Sequence, residues 1–427
     1  MRQEIDKKET HVVSFILFPI TALWGAYLSS IHIKLIFLFG ICIFTYIITA
    51  LLKKKTVSRF LFHPMSALLG YAIILYALVP SNPDSTRSIA TLGISFFFVY
   101  SFFAFGKNDG ATKWSILIYS YLLIMLCICY AEIRFGLVLP MSAKASSVQL
   151  AAQFKGLPTG LFYNPNDFST AIVLLFAYEY TYLTMLKNNR RFIVLLIALF
   201  LTVVSGSRGA LLVFVFFPFF LAAIKSKNIL RWTIAGIIVF ITIILIIPLL
   251  WPYLSGLFRA PQTARFYQKV GNLFSSGGDS SIKIRINLIQ YSLRHLNELI
   301  LGQGPGGVHS FLANAGVEGG GIVDAHNFFL EILICYGIPG LIITFQIFMS
   351  ALVKSWKISI TGVSPVSRAC GAGAFISFLA FFIVCVVPSS LLKDWFFGWF
   401  PVSMSMLAYG VDLRERKLGH ESIHCHC

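Results

Sequence analysis

Four positions carry side chains whose types suit chemistry, and each lies in or beside an apolar run. His326 closes Asp324-Ala325-His326-Asn327, where a long apolar stretch begins. An imidazole, with an ordinary pKa of about 6.5, accepts a proton near neutral pH, although a histidine at a membrane edge is often only a hydrogen-bonded interfacial residue. Arg208 lies in Ser205-Gly206-Ser207-Arg208-Gly209, the polar break in an otherwise apolar stretch from Phe192 to Ala223. Its guanidinium either binds an anion in a recess or snorkels to lipid head groups. Arg285 stands at the edge of a stripe formed by Ile282, Ile286, Ile289, Leu293, Leu296 and Ile300. That spacing predicts an amphipathic surface helix that holds the arginine either towards a cavity or towards head groups. Asn166, in Asn164-Pro165-Asn166-Asp167, belongs to a turn and N-cap, with a share in binding sugar hydroxyls as the alternative.

The elements that must position these residues are membrane helices. The chain is 57% hydrophobic with a mean hydropathy of +0.80, which leaves little room for a soluble domain. Apolar runs long enough to cross a ~30 Å hydrocarbon core fall near 12–29, 33–52, 64–80, 88–106, 113–131, 166–186, 191–205, 208–224, 230–250, 326–352, 369–388 and 395–411. The expected architecture is an all-α, polytopic integral membrane protein of about twelve transmembrane helices. Phe192 to Ala223 as one helix would be about 48 Å long, too long for one span, so it must turn near Arg208. The expected organisation is helices one to nine over 1–250, a large extracytoplasmic loop over 251–325, helices ten to twelve over 326–411 and a cytoplasmic tail over 412–427. The first run, from Val12, reads as a retained helix and not as a cleaved signal. Asp324 is the expected N-cap of the tenth helix.

Orientation follows from lysine and arginine. Alternate connections hold clusters, such as Lys53-Lys54-Lys55, Lys187 with Arg190-Arg191, and Arg414 with Arg416-Lys417, whereas those of the other parity hold single residues such as Arg87 and Arg208. Both termini are therefore expected in the cytoplasm of a cell with the chain in its cytoplasmic (inner) membrane, and the 251–325 loop outside. The net charge of +17 is mostly this bias, and no nucleic-acid partner is expected. The remaining basic character of the outer loop suits an anionic ligand such as a lipid pyrophosphate, or membrane lipid head groups. The eight cysteines avoid that loop, so no disulfide scaffold is implied. No metal site is expected: His424-Cys425-His426-Cys427 reads as a frayed end. The glycine clusters at 302–307 and 316–321 lack the lysine-serine/threonine ending of a phosphate loop and read as loop-shaping turns.

Together, Ser-Gly-Ser-Arg-Gly at 205–209, the arginine-bearing helix at 285 running into Gly302-Gln303-Gly304-Pro305-Gly306-Gly307, and Asp324-Ala325-His326-Asn327 followed by Glu331 and Gly337-Ile338-Pro339-Gly340 resemble the O-antigen ligase/polymerase superfamily. Its members include polysaccharide polymerases, teichuronic-acid-type proteins and O-antigen ligases. The spacing of His326-Asn327 to Gly337-x-x-Gly340 is similar to that family's His-Asn-x9-Gly-x-x-Gly box, and the resemblance covers about 160–345.

The resemblance implies a metal-independent glycosyltransferase that joins undecaprenyl-pyrophosphate-linked glycans outside the cytoplasmic membrane. Arg208 and Arg285 would bind the pyrophosphate and His326 would be the essential histidine, with Asn327 and Asn166 as further substrate-binding candidates. The donor carries its own leaving group, so no cofactor is expected. Two guanidiniums suit its phosphate oxygens, and His326 can take the acceptor's proton. Tyr163-Asn164-Pro165-Asn166-Asp167-Phe168 resembles the stretch of polymerases and teichuronic-acid-type members, which favours a polymerase over a ligase acting on lipid A core. A chain-length regulator is a candidate partner. The alternative of another class, a lipid-linked oligosaccharide flippase, needs polar residues through its centre and usually internal repeats. Here the arginines collect towards one surface.

Overall fold

The structure, a computed structural model, describes residues 23, 59–79, 84–107, 110–139, 142, 156–226, 231–232, 234–236, 238, 280–313, 324–388 and 397–424. In chain order its helices are α1 Arg59–Leu78, α2 Ser85–Gly106, α3 Gly110–Phe135, α4 Pro165–Met185, α5 Arg190–Ser205, α6 Arg208–Ser226, α7 Ser280–Arg294, α8 Val308–Ala313, α9 Phe328–Thr361, α10 Pro365–Val384 and α11 Phe400–His424. Short 3-10 turns stand at Leu296–Leu299 and Phe397–Trp399. No strand occurs among the described residues. The chain is an all-α polytopic membrane protein, and among the described residues five helices (α2, α3, α6, α9 and α10) are long and apolar enough to cross a bilayer by length and composition.

Nine of the expected spans coincide with helices. Those at 12–29 (except Leu23) and 33–52, most of 230–250, and the loop over 251–279 lie outside the described residues. The break expected near Arg208 is present: α5 and α6 have 16 and 19 residues, and Gly206 closes α5 in the left-handed conformation. The surface helix is shorter than its apolar stripe. α7 ends at Arg294, and Leu296 continues into a 3-10 turn instead.

α10 is the central helix, contacted by α4, α6, α9 and α11. Lipid tails are as apolar as leucine, so membrane helices associate largely through close packing. The run Ala369-Cys370-Gly371-Ala372-Gly373-Ala374 supplies the small residues this needs. A Cβ on Gly373 would stand 2.9 Å from the carbonyl oxygen of Tyr178 on α4, and one on Gly371 would stand 2.6 Å from the amide nitrogen of Ser359 on α9. Between α3 and α4, Ser115 Oγ donates to the buried Glu179 at 2.5 Å.

Successive long helices alternate in direction, which sorts the connections onto two ends. At one end Asp412 of α11 accepts from Ser367 Oγ at 2.8 Å and from the Val363 amide at 3.3 Å, and pairs with Arg416. The basic clusters at Lys187–Arg191, Lys354/Lys357/Arg368 and Arg414–Lys417 belong to this end. At the other end lie the start of α4, the α5–α6 turn, α7, the start of α9 and the turn after α10. An aromatic cluster supports it: Trp399 packs on Phe96 at 5.0 Å, Phe348 at 5.6 Å and Phe328 at 5.8 Å between centroids.

Candidate functional site

The turn Cys385–Pro388, which ends α10, gathers the site. Its backbone carbonyls meet two segments, the start of α9 and α7. Cys385 O accepts from the Phe328 amide at 3.0 Å, Val387 O from Arg285 Nη2 at 3.2 Å, and Pro388 O lies 3.2 Å from His326 Nδ1. The side chain of Val387 also fills the place a Cβ would take on Gly209, which brings the residue after Arg208 against the same turn. Arg285 and His326 are therefore held by one four-residue turn, and the residue after Arg208 packs against it.

Each arrives there for a local reason. The stripe on α7 is the outward face: Ile286, Ile289 and Leu293 are exposed, whereas Leu288 and Ser292 are buried and Arg285 is half-buried. The helix thus presents leucines and isoleucines to its surroundings and Arg285 to the protein, as an amphipathic helix at an interface does. Arg208 is the first residue of α6 and half-buried. Beside it the Ser207 hydroxyl is fully buried and has no hydrogen-bond partner among the described residues. A helix start, an arginine and an orphaned hydroxyl make a place suited to an anion.

His326 adopts φ +50°, one of two non-glycine residues with positive φ among those described. Such a backbone is uncommon outside glycine and places the ring by constraint rather than by chance. A carbonyl has no hydrogen to give, so Nδ1 donates to Pro388 and Nε2 carries the lone pair, the tautomer a base needs. Burial, and next the positive charge of Arg285, hold the imidazole below its usual pKa, partly opposed by Asp324 and the Pro388 carbonyl.

The positive φ at His326 also moves the cap. Asn327, not Asp324, caps α9: its Oδ1 accepts from the amides of Phe329 at 3.0 Å and Leu330 at 3.2 Å. Asp324 is turned to His309 instead, at 3.4 Å. Asn327 thus adjoins His326, with its side-chain oxygen committed to the helix. Among the described residues Asn166 makes local hydrogen bonds. Its amide goes to the N-cap Asn164 and its carbonyl receives Ser169 Oγ, which fits the turn-and-cap alternative.

The glycine box has a structural explanation. α9 breaks at Gly337, with φ 64° and ψ −166°. The backbone groups released there are taken by the glycine loop: Gln303 N donates to Ile334 O at 2.7 Å and Ile338 N to Ile300 O at 3.0 Å. Gly302 and Gly337 abut so closely that a Cβ on either would strike the other's main chain. The Gly302–Gly307 loop is therefore a shaping turn, as its lack of a lysine-serine ending suggests, and it fixes α7 and its 3-10 extension to α9.

A cavity opens next to this cluster without including Arg208, Arg285 or His326. It lies between α2, α9 and the 306–309 segment, and Asp84, Arg87, His309, Asp324 and Glu331 contribute its charged groups. Of these, the sequence reading used Arg87 only as a connection charge. The signal that finds the cavity is Asp84, Ser88, Thr91 and Ser95, polar residues at three- and four-residue spacing on one face of a membrane helix.

Residues 193–345 match the family model described as O-antigen ligase. That span contains Arg208, Arg285, His326 and Gly337, and stops short of the Cys385–Pro388 turn. The match covers about a third of the chain and supports a likeness to the O-antigen ligase/polymerase superfamily. The chain is also similar to the teichuronic acid biosynthesis protein TuaE of Bacillus subtilis (strain 168), with 22% identity over 364 residues that cover 82% of this chain and 71% of the relative. Both likenesses point to cell-surface polysaccharide biosynthesis, and the apolar helices make the chain a multi-pass membrane protein.

Proposed function

We propose that this protein is a polysaccharide polymerase that extends undecaprenyl-pyrophosphate-linked glycans on the outer face of the cytoplasmic membrane, with no metal or cofactor in the step. The observation that supports the reading is the shared turn, whose carbonyls meet His326 and Arg285 and whose Val387 packs on Gly209, the residue after Arg208. The basic clusters at the opposite end favour that end as cytoplasmic, which leaves the cluster facing outward.

In this reading Arg208 and Arg285, with the start of α6 and Ser207, hold the donor's pyrophosphate. An acceptor hydroxyl attacks the anomeric carbon as the bond from that carbon to the pyrophosphate oxygen breaks. The hydroxyl proton goes to His326 Nε2, and the lipid pyrophosphate leaves with its charge met by guanidiniums. Direct attack inverts the anomeric centre. Ligation to lipid A core would use the same arrangement with another acceptor. The resemblance of Tyr163–Phe168 to polymerase members and the similarity to a teichuronic acid biosynthesis protein favour polymerisation.

The test is purified protein in proteoliposomes supplied with lipid-linked repeats alone. Polymerisation predicts longer glycans on the lipid, lost on His326→Ala and Arg285→Ala while both proteins still insert. No product without a lipid A core acceptor would favour a ligase. In cells, single repeats trapped on the inner face of the His326→Ala strain would instead point to a flippase.

A further inference from the structure

The cavity beside the arginine cluster differs from it in chemistry. Its wall on α2 is a polar stripe that runs from Asp84 to Ser95, eleven residues or about 16 Å along a membrane helix. Polar groups within a membrane helix are costly and mark functional surfaces. Two hydroxyl protons of this stripe are already used: Thr91 Oγ1 donates to Arg87 O and Ser95 Oγ to Thr91 O, both at 2.8 Å. What remains towards the cavity is their acceptor lone pairs. The facing wall adds Glu331, 2% exposed, from the first turn of α9, and Asp324, two residues before His326.

Three carboxyl groups face one guanidinium and one imidazole, so the cavity is a poor host for a pyrophosphate dianion and a good one for hydrogen-bond donors. Its volume of about 50 Å³ exceeds the roughly 10–15 Å³ that one water needs. It is nevertheless too small to enclose a saccharide, so it takes the hydroxylated edge of one. The close fit of Gly306 against Asp84, where a Cβ would stand 2.8 Å from the Asp84 carbonyl carbon, keeps this wall attached to the loop that α9 anchors.

We propose that this cavity is the acceptor subsite and binds the hydroxyl-rich, pyrophosphate-free end of a saccharide beside His326, while the arginine cluster takes the donor. The assignment rests on the transferase reading above. It divides the two substrates by charge, with anion-binding groups on one side of His326 and hydrogen-bond acceptors on the other.

The test separates binding from turnover. The repeat oligosaccharide is freed by mild acid from the lipid carrier of the producing cells, labelled at its reducing end, and titrated into the full-length detergent-solubilised protein. The expected result is saturable binding that weakens tenfold or more in the Thr91→Val/Ser95→Ala double variant and in Asp324→Asn, and stays within twofold in Arg285→Ala. If the double variant does not elute as a single species, Asp84→Asn takes its place. Absent binding, binding untouched by the cavity variants, or equal loss in Arg285→Ala overturns the assignment. Cavity-dependent binding by a protein that transfers no sugar in proteoliposomes would overturn the transferase reading and leave the saccharide site standing.

Discussion

Gly302 and Gly337 meet backbone to backbone: a Cβ on Gly302 would stand 2.5 Å from the Gly337 nitrogen. Gly337 also carries φ +64°, which L side chains rarely adopt. Gly337→Ala is therefore expected to cost about 1–3 kcal/mol from the backbone alone, with more from the collision with Leu301. The measurement is thermal stability in detergent beside transfer activity. An unchanged melting temperature would show that α9 and the glycine loop are not locked together.

The pH dependence has a definite sign. In the proposed role of base His326 acts only when neutral, and burial and Arg285 hold its pKa below the usual value. Activity is thus expected to persist below the ordinary imidazole range and to fall as pH drops through the lowered pKa. Removing the positive neighbour in Arg285→Gln raises the pKa and moves this acid limb to higher pH. Asp324→Asn removes a group that raises the pKa and moves the limb to lower pH. Where turnover is too slow, the pH dependence of His326 carbethoxylation reports the same shifts.

Asn327 offers a clean separation of roles. Loss of its cap in Asn327→Ala is expected to cost about 1 kcal/mol, and Asn327→Ser, which can still cap, should regain most of the stability. If Asn327→Ser is as stable as the parent and yet inactive, the side chain contacts substrate as well as capping α9.

Arg208→Lys keeps the charge and loses the planar pair of donors. A tenfold or greater fall in kcat/KM for the lipid-linked donor is expected, with the acceptor KM little changed. Full activity would mean that charge alone suffices at the start of α6.

The legible features were those with a local cause. The α5–α6 break follows from a run too long for one span, and the orientation of α7 follows from the spacing of Ile286, Ile289 and Leu293. Asp324 and Asn327 both precede the same apolar run, and only the positive φ of His326 decides between them, which residue type alone does not encode. The partners of Arg285 and His326 lie 102 and 62 residues away and are main-chain carbonyls. A carbonyl has no residue-specific signature, so nothing in Val387 or Pro388 announces the contact. The stripe on α2 was readable at helical spacing, but its arginine carries the same charge that marks a loop.

The turn after α10 lies forty residues beyond the end of the family match. In the order of synthesis, the two arginines and the histidine enter the membrane before the carbonyls that hold Arg285 and His326. The site's geometry is thus completed late, once the turn after α10 has been made. Under the proposed function, a nascent or truncated chain that has every recognisable motif but lacks this turn would be inert.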